Sequence, residues 1–113
     1  MRTVLIVCGA GASSTFLASR MRSIAATRGL DLVIAASSDA ELRPRLHTTD
    51  VLLIGPHLET AFPSLQAEAA MFGIPAALLP QTAFGPGGAE RAIDIVGSLV
   101  SLGSAPISSA GSN

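Results

Sequence analysis

The chain has few or none of several residue types on which common protein functions depend. Its 113 residues include no lysine, tryptophan or tyrosine, one cysteine and four phenylalanines. The absence of lysine excludes Schiff-base chemistry and the lysine of a nucleotide-binding P-loop. A single cysteine cannot form an internal disulfide, which excludes a secreted disulfide scaffold. The scarcity of aromatic rings argues against a stacking surface for single-stranded nucleic acid.

Charge and hydropathy favour one compact domain. The formal net charge is −1, with 13% charged and 49% hydrophobic residues, so there is no dense basic surface and no nucleic-acid partner is expected. We expect the domain to span residues 1–103 and the small, polar stretch 104–113 to be a frayed tail. No run approaches the roughly 18 apolar residues that cross a bilayer, and no secretory leader is recognisable. We therefore expect a cytoplasmic protein without membrane insertion.

All seven cationic residues are arginines, and three of them, Arg20, Arg22 and Arg28, cluster around one predicted helix. Such a cluster is either an ordinary solvated face or a contact for an acidic protein partner. The sequence leaves both interpretations open.

Apolar runs alternate with helical patterns along the chain. Strands are predicted over residues 3–7, 30–36, 51–54 and 74–79. Helices are predicted from a cap at Ser13 or Ser14 to Gly29, from a cap within residues 37–39 to about Leu42 before Pro44, from Thr60 to Gly73, and over residues 89–102. The loop 80–88 is rich in glycine and proline, and its length predicts that it covers another part of the domain.

This alternation predicts right-handed crossovers and a parallel sheet with helices on both faces. Ligands of such open sheets bind at the carboxyl ends of the strands, where the strand order reverses. Cys8 follows the first strand and Gly55-Pro56-His57 follows the third, so we expect them to lie side by side, with loop 80–88 next.

The candidate site is the stretch between the first strand and the first helix: Cys8, Gly9, Ala10, Gly11, Ala12, Ser13, Ser14 and Thr15. Small residues allow the backbone to approach an anion, and backbone N–H groups and hydroxyls can surround phosphoryl oxygens. The amides and the helix N-terminus should lower the pKa of the thiol below its free value of roughly 8.5. We predict a thiolate that attacks phosphorus, and neither a metal nor a cofactor.

Other interpretations of this stretch are less well supported. A buried cysteine followed by turn glycines does not need the three hydroxyl residues. A dinucleotide-binding fingerprint fails because Ser14 stands where the third glycine belongs. A thiol-based oxyanion reductase needs resolving cysteines. A cysteine-dependent phosphatase normally has an arginine six residues after the cysteine, which is again Ser14, so a relay that receives and passes on a phosphoryl group is favoured.

Two stretches resemble the enzyme IIB components of the bacterial phosphoenolpyruvate-dependent sugar phosphotransferase system, in the lactose/cellobiose (N,N'-diacetylchitobiose) branch. One is the loop Cys-x-x-Gly-x-Ser-Ser/Thr from Cys8 directly after the first strand, and the other is Asp50-Val51-Leu52-Leu53-Ile54-Gly55-Pro56. The resemblance covers roughly residues 2 to 102. It implies a four-stranded parallel sheet in the order 2-1-3-4, similar to low-molecular-weight tyrosine phosphatases.

The resemblance also implies that Cys8 takes a phosphoryl group from a phosphohistidine on enzyme IIA and passes it to a sugar held by the membrane component IIC. Residues 9–15 would form the phosphate-binding loop. A regulatory relative, in which phosphorylation of Cys8 switches binding to a transcription factor, and a phosphatase remain alternatives. His57 departs from the family, which usually has glutamine there. A metal site formed by His47 and His57 with Glu59 or Asp50 lacks paired ligand spacing.

Overall fold

The computed structural model describes residues 2–7, 12–38 and 41–100, and the side chains of all of these except residues 12–14. In these ranges the strands are β1 (Arg2–Val7), β2 (Leu32–Ser37), β3 (Val51–Ile54) and β4 (Ala76–Leu78). The α-helices are α1 (Ala12–Arg28), α2 (Leu42–Arg45), α3 (Phe62–Met71) and α4 (Gly88–Leu99). Shorter 3-10 segments cover Leu46–Thr48, Pro56–Ala61 and Gln81–Phe84.

The strands form one parallel sheet in the order β2-β1-β3-β4, which confirms the predicted topology. β1 and β3 occupy the centre, where both faces of a strand are covered, and every residue of β3 is buried. Val4 of β1 lies opposite Ile34 of β2 and Val51 of β3. The unbroken apolar runs in the sequence reflect this burial on two faces.

Alternate residues of the central strands face two separate cores. Val4 and Ile6 contribute to the core under α1 and α4, which is filled by Leu17, Met21 and Ile93 among others. Leu5 and Val7 contribute to the core under α2 and α3, which includes Leu42, Leu46, Leu65 and Ala69. Successive strand side chains point to opposite faces, so one apolar run supplies both cores. The expected helices on both faces are confirmed.

The observed ends of α1 and α2 agree only in part with the ends predicted from the sequence. Gly29 follows α1 with a φ of 71°, as expected of a helix stop, while α1 begins at Ala12, before the serines predicted to cap it. The predicted end of the second helix before Pro44 is wrong. Pro44 lies inside α2, in the first turn, where its missing N–H has no helical acceptor to lose.

In the second half of the chain the observed ends of helices and strands differ less from the predicted ones. Thr60 does not cap α3, because the helix follows a 3-10 segment and begins at Phe62, with Pro63 in its first turn. Gly73 ends this helix with a φ of 72°. β4 is limited to three residues, and α4 runs from Gly88 to Leu99. The predicted boundary between residues 103 and 104 lies outside the described residues.

Candidate functional site

The predicted phosphate-binding stretch lies between the end of β1 and the start of α1. β1 ends at Val7 and α1 begins at Ala12. The four intervening residues, Cys8, Gly9, Ala10 and Gly11, lie outside the described residues. Ala12, Ser13 and Ser14 belong to the first turn of α1, and Thr15 is an exposed residue of the same turn. The structure therefore describes the two ends of the predicted stretch and their surroundings.

β1 ends at the point where the strand order reverses. It pairs with β2 on one side and with β3 on the other, and the chain visits these neighbours in turn. The N–H of Gly55, directly after β3, donates a hydrogen bond of 2.7 Å to the carbonyl oxygen of Val7. This bond fixes the turn Gly55-Pro56-His57 beside the residue that precedes Cys8. The expected proximity of the ends of the first and third strands is confirmed.

The N-terminus of α1 contributes donors and a favourable field. The first four N–H groups of any α-helix lack intrahelical acceptors, and here they belong to Ala12–Thr15. The dipole of a 17-residue helix adds partial positive charge at this end. A short connection into such a helix end is a suitable setting for an anion or a thiolate.

The 3-10 segment Gln81–Phe84 follows β4 and lies at the same edge of the sheet, next to the end of β3, as predicted for loop 80–88. The N–H of Leu79 bonds to the carbonyl oxygen of Ile54 at 2.7 Å, which carries the chain past the end of β3. Ala83 is buried and Phe84 packs against the core under α1 and α4, so the segment covers the end of that core.

Phe84 lines two adjacent depressions at the carboxyl edge of the sheet. One, of about 340 Å³, is shared with Pro56, His57 and Gln81. The other, of about 170 Å³, is lined by Phe16, Leu17, Arg20, Ala83 and Phe84. The only sequence signal for this second depression is the aromatic residue at position 16, directly after the hydroxyl residues, and its pattern alone predicts no role for it.

The three arginines of α1 do not form one patch. The Nε of Arg22 donates to the carbonyl oxygen of Ile34 at 2.9 Å, and Arg28 pairs with Asp94 at 3.2 Å. Arg20 alone of the three lines the depression beside Phe16. Arg22 and Arg28 therefore make structural contacts, and Arg20 is a cation at the edge of the candidate site.

The residues considered for a metal site are held apart. A carboxylate oxygen of Asp50 accepts the N–H of Thr3 at 2.7 Å, at the end of the sheet where β1 and β3 begin. His57 lies past the other end of β3, and a strand of this length spans roughly 13 Å. Within residues 2–7, 12–38 and 41–100 no three His, Cys, Asp or Glu side chains come together as metal ligands would.

Comparison with known proteins agrees with this architecture. A family model described as the PTS system lactose/cellobiose-specific IIB subunit matches residues 3–94. The oligo-beta-mannoside-specific EIIB component of Bacillus subtilis is 26% identical over 94 residues, covering 83% of this chain and 91% of that protein. The galactose-specific EIIB component of Lactococcus lactis subsp. cremoris is 30% identical over 89 residues, covering 74% and 82%. The lactose-specific IIB domain of Streptococcus pneumoniae superimposes with a TM-score of 0.73 at 15% identity, covering 87% and 96%.

The fold and the family match together define a phosphotransferase-system component. The chain belongs to the lactose/cellobiose-specific IIB family, and IIB is the phosphotransferase component of such a system. Membership associates it in general terms with IIA and IIC components. Across the described ranges no helix has both the length and the apolar character that crossing a bilayer requires.

Proposed function

We propose that Cys8 carries a phosphoryl group from a phosphohistidine on enzyme IIA to a sugar bound by the membrane component IIC. The observation that carries this proposal is the position of the chain's single cysteine. It falls between the end of β1 at Val7 and the start of α1 at Ala12, at the reversal of strand order, in a chain of the IIB family. The protein would act in the cytoplasm and reach the inner face of the membrane transiently.

In the first step the Cys8 thiolate attacks the phosphorus in line. An S–P bond forms while the N–P bond of the phosphohistidine breaks, and the electron pair of that bond stays on the imidazole nitrogen. The helix end at Ala12 favours the thiolate over the thiol. Positioning and hydrogen bonds to the equatorial oxygens supply most of what such a transfer needs from a protein.

In the second step a sugar hydroxyl oxygen attacks the same phosphorus. An O–P bond forms, the S–P bond breaks, and the thiolate is regenerated while the hydroxyl proton passes to a base or to solvent. The donors proposed for the phosphoryl oxygens belong to Gly9, Ala10, Gly11, Ala12, Ser13, Ser14 and Thr15, all of them uncharged side chains or backbone. A fixed arginine would favour hydrolysis and tight retention, so Ser14 suits a relay.

The sugar class is proposed from the family match rather than from the name of any one relative. The similar proteins are named for an oligo-beta-mannoside, galactose and lactose, which are three different specificities. We assign a β-linked disaccharide of the cellobiose, lactose or chitobiose type, in keeping with the family match.

Labelling tests the proposal directly. Incubation with radiolabelled phospho-IIA should transfer the label to the wild-type chain, at Cys8, as an acid-labile and iodine-sensitive phosphate. Cys8→Ser should take up no label, while circular dichroism shows that it folds. Addition of membranes containing IIC and sugar should then move the label to the sugar.

Two other results would contradict the proposal. Hydrolysis of p-nitrophenyl phosphate without labelling by phospho-IIA would identify a phosphatase. Stable labelling without transfer to any sugar, together with phosphorylation-dependent binding to a transcription factor, would identify a regulatory relative.

A further inference from the structure

We propose that Phe16 and Arg20 form a docking surface for enzyme IIA, adjacent to the phosphoryl site; this inference rests on the function proposed above. The surface is the depression of about 170 Å³ lined by Phe16, Leu17, Arg20, Ala83 and Phe84. It lies between the first turns of α1 and the Gln81–Phe84 segment, next to the helix end that receives the Cys8 loop.

The apolar part of this surface is unusually exposed. Phe16 is one of four phenylalanines in the chain, and 73% of it is accessible to solvent, although its neighbours Leu17 and Ala18 are buried. Phe84 forms the facing wall while packing against the core beneath. An exposed aromatic ring beside a shallow apolar depression offers a partner one socket for an apolar side chain.

The charged part of the surface is Arg20. Arg22 and Arg28 on the same helix are engaged by Ile34 and Asp94, whereas Arg20 makes no hydrogen bond or ion pair within the described part of the chain. None of the described residues that line the depression carries a carboxylate. A cation beside an apolar socket is complementary to an acidic surface that presents an apolar side chain.

Charge favours IIA over IIC as the occupant. Cytoplasmic loops of membrane proteins carry an excess of lysine and arginine, which would meet Arg20 with like charge. A phosphorylated, water-soluble donor brings negative charge to the same edge. Steering of this kind raises the encounter rate and weakens as the salt concentration rises.

The depression also lies close enough for docking and chemistry to occur together. Phe16 is one helical turn from Ala12, where α1 begins, and one turn advances about 5.4 Å. A partner side chain seated between Phe16 and Phe84 would therefore place the neighbouring surface of that partner at the start of α1, which follows Cys8 by four positions in the sequence. The contact would be small, as transient transfer complexes are.

Binding and kinetics test this inference separately from the chemistry. Binding of unphosphorylated cognate IIA to the Cys8→Ser protein is measured by calorimetry, so that no transfer is involved. Arg20→Gln should weaken binding about two- to fivefold, and Phe16→Ser roughly fivefold or more. In labelling by phospho-IIA, with Cys8 intact, the same changes should raise the half-saturating concentration and leave the maximal rate unchanged.

Matched controls come from the same chain. Arg28→Gln removes the same charge at the far end of α1, and Phe72→Ser removes a 55%-exposed ring at the C-terminal end of α3. Both should bind IIA as the unmodified protein does. Thermal unfolding of each variant separates a loss of contact from a loss of fold.

The inference is overturned if Arg20→Gln and Phe16→Ser match their controls, or if the chain does not bind IIA. It is also overturned if the changes slow only the transfer from the phosphorylated chain to sugar in IIC-containing membranes, which would assign the surface to IIC. If Arg20→Gln and Phe16→Ser weaken IIA binding relative to their controls but Cys8 takes up no label, the proposed function is contradicted and the docking surface is still supported.

Discussion

The N–H of Gly55 donates to the carbonyl oxygen of Val7 at 2.7 Å and joins the two strand ends that border the candidate site. Val7 is fully buried, and Gly55 is buried beside it, so water cannot replace the bond. The residue that leads into the cysteine loop is thereby held to the turn that follows β3.

Removal of this donor should loosen the site. Gly55 has a φ of −66° and a ψ of 152°, which a proline before Pro56 can adopt, but Gly55→Pro replaces the N–H with a ring carbon that meets the carbonyl oxygen of Val7. We expect a loss of at least about 1–3 kcal/mol in the free energy of unfolding, measured by urea denaturation, because the buried carbonyl loses its donor and is crowded by the ring.

Gly55→Ala is the control, since it adds a side-chain carbon and keeps the N–H. Phosphorylation of Cys8 should be slower in Gly55→Pro than in Gly55→Ala. Equal stability and equal labelling of the two variants would show that this hydrogen bond does not organise the site.

Gly88 determines how closely α4 approaches the Gln81–Phe84 segment. A Cβ placed on Gly88 would lie 2.1 Å from the carbonyl oxygen of Ala83 and 2.5 Å from that of Thr82. Gly88→Ala should therefore cost about 1–3 kcal/mol, because backbone must move to relieve the clash. At Gly85 the nearest atom, the Thr82 oxygen, is 3.7 Å away. Gly85→Ala should change stability by less than about 0.5 kcal/mol, and equal melting temperatures for the two variants would contradict this packing.

Two arginines protect the edge of the sheet formed by β2. The Arg2 N–H bonds to the carbonyl oxygen of Asp31, so alternation in a parallel ladder turns the carbonyls of Ile34 and Ala36 away from β1. Arg22 of α1 donates to Ile34 at 2.9 Å, and Arg45 of α2 donates to Ala36 at 3.0 Å. Helices on opposite faces thus satisfy the edge that would otherwise pair with another chain.

Loss of both arginine hydrogen bonds to β2 should destabilise the chain and promote self-association. The double variant Arg22→Met, Arg45→Met is expected to lose about 1–2 kcal/mol and to form larger species in sedimentation experiments. Arg43→Met is the control: its side chain is 82% exposed and pairs with Glu68 rather than with a strand. A monodisperse double variant would contradict the protective role.

The parts of the fold that depend on local pattern were predictable from the sequence. Apolar runs identified β1 and β3, and glycine identified the ends of α1 and α3 at Gly29 and Gly73. Crossover geometry does not by itself give the strand order, and that part of the prediction came from the family resemblance.

Helix starts were predicted less well because they do not depend on side-chain caps here. The residues before α2, α3 and α4 are Glu41, Ala61 and Gly87, and none of them makes a side-chain capping bond. Burial of Leu42 and Leu46 against the second core holds α2 in place despite Pro44. Proximity between distant residues leaves no periodic signal in the sequence; examples are the hydrogen bond of Gly55 with Val7 and the depression that Arg20 and Phe84 line together.

The start of α1 at Ala12 leads to a prediction about Cys8 itself. The N–H groups and dipole at that helix end should stabilise the thiolate, which places the pKa of Cys8 below the roughly 8.5 of a free thiol. The pH dependence of alkylation by iodoacetamide should therefore have its midpoint below that of a cysteine-containing peptide in urea. Because the charged form is the one stabilised, the thiolate contributes fully to folding stability above the unfolded-state pKa of roughly 8.5, and this contribution is lost as the pH falls through the folded-state pKa. Unfolding curves of the wild type and of Cys8→Ser should accordingly converge at low pH and separate as the pH rises, and a midpoint equal to that of the peptide would contradict activation by the helix end.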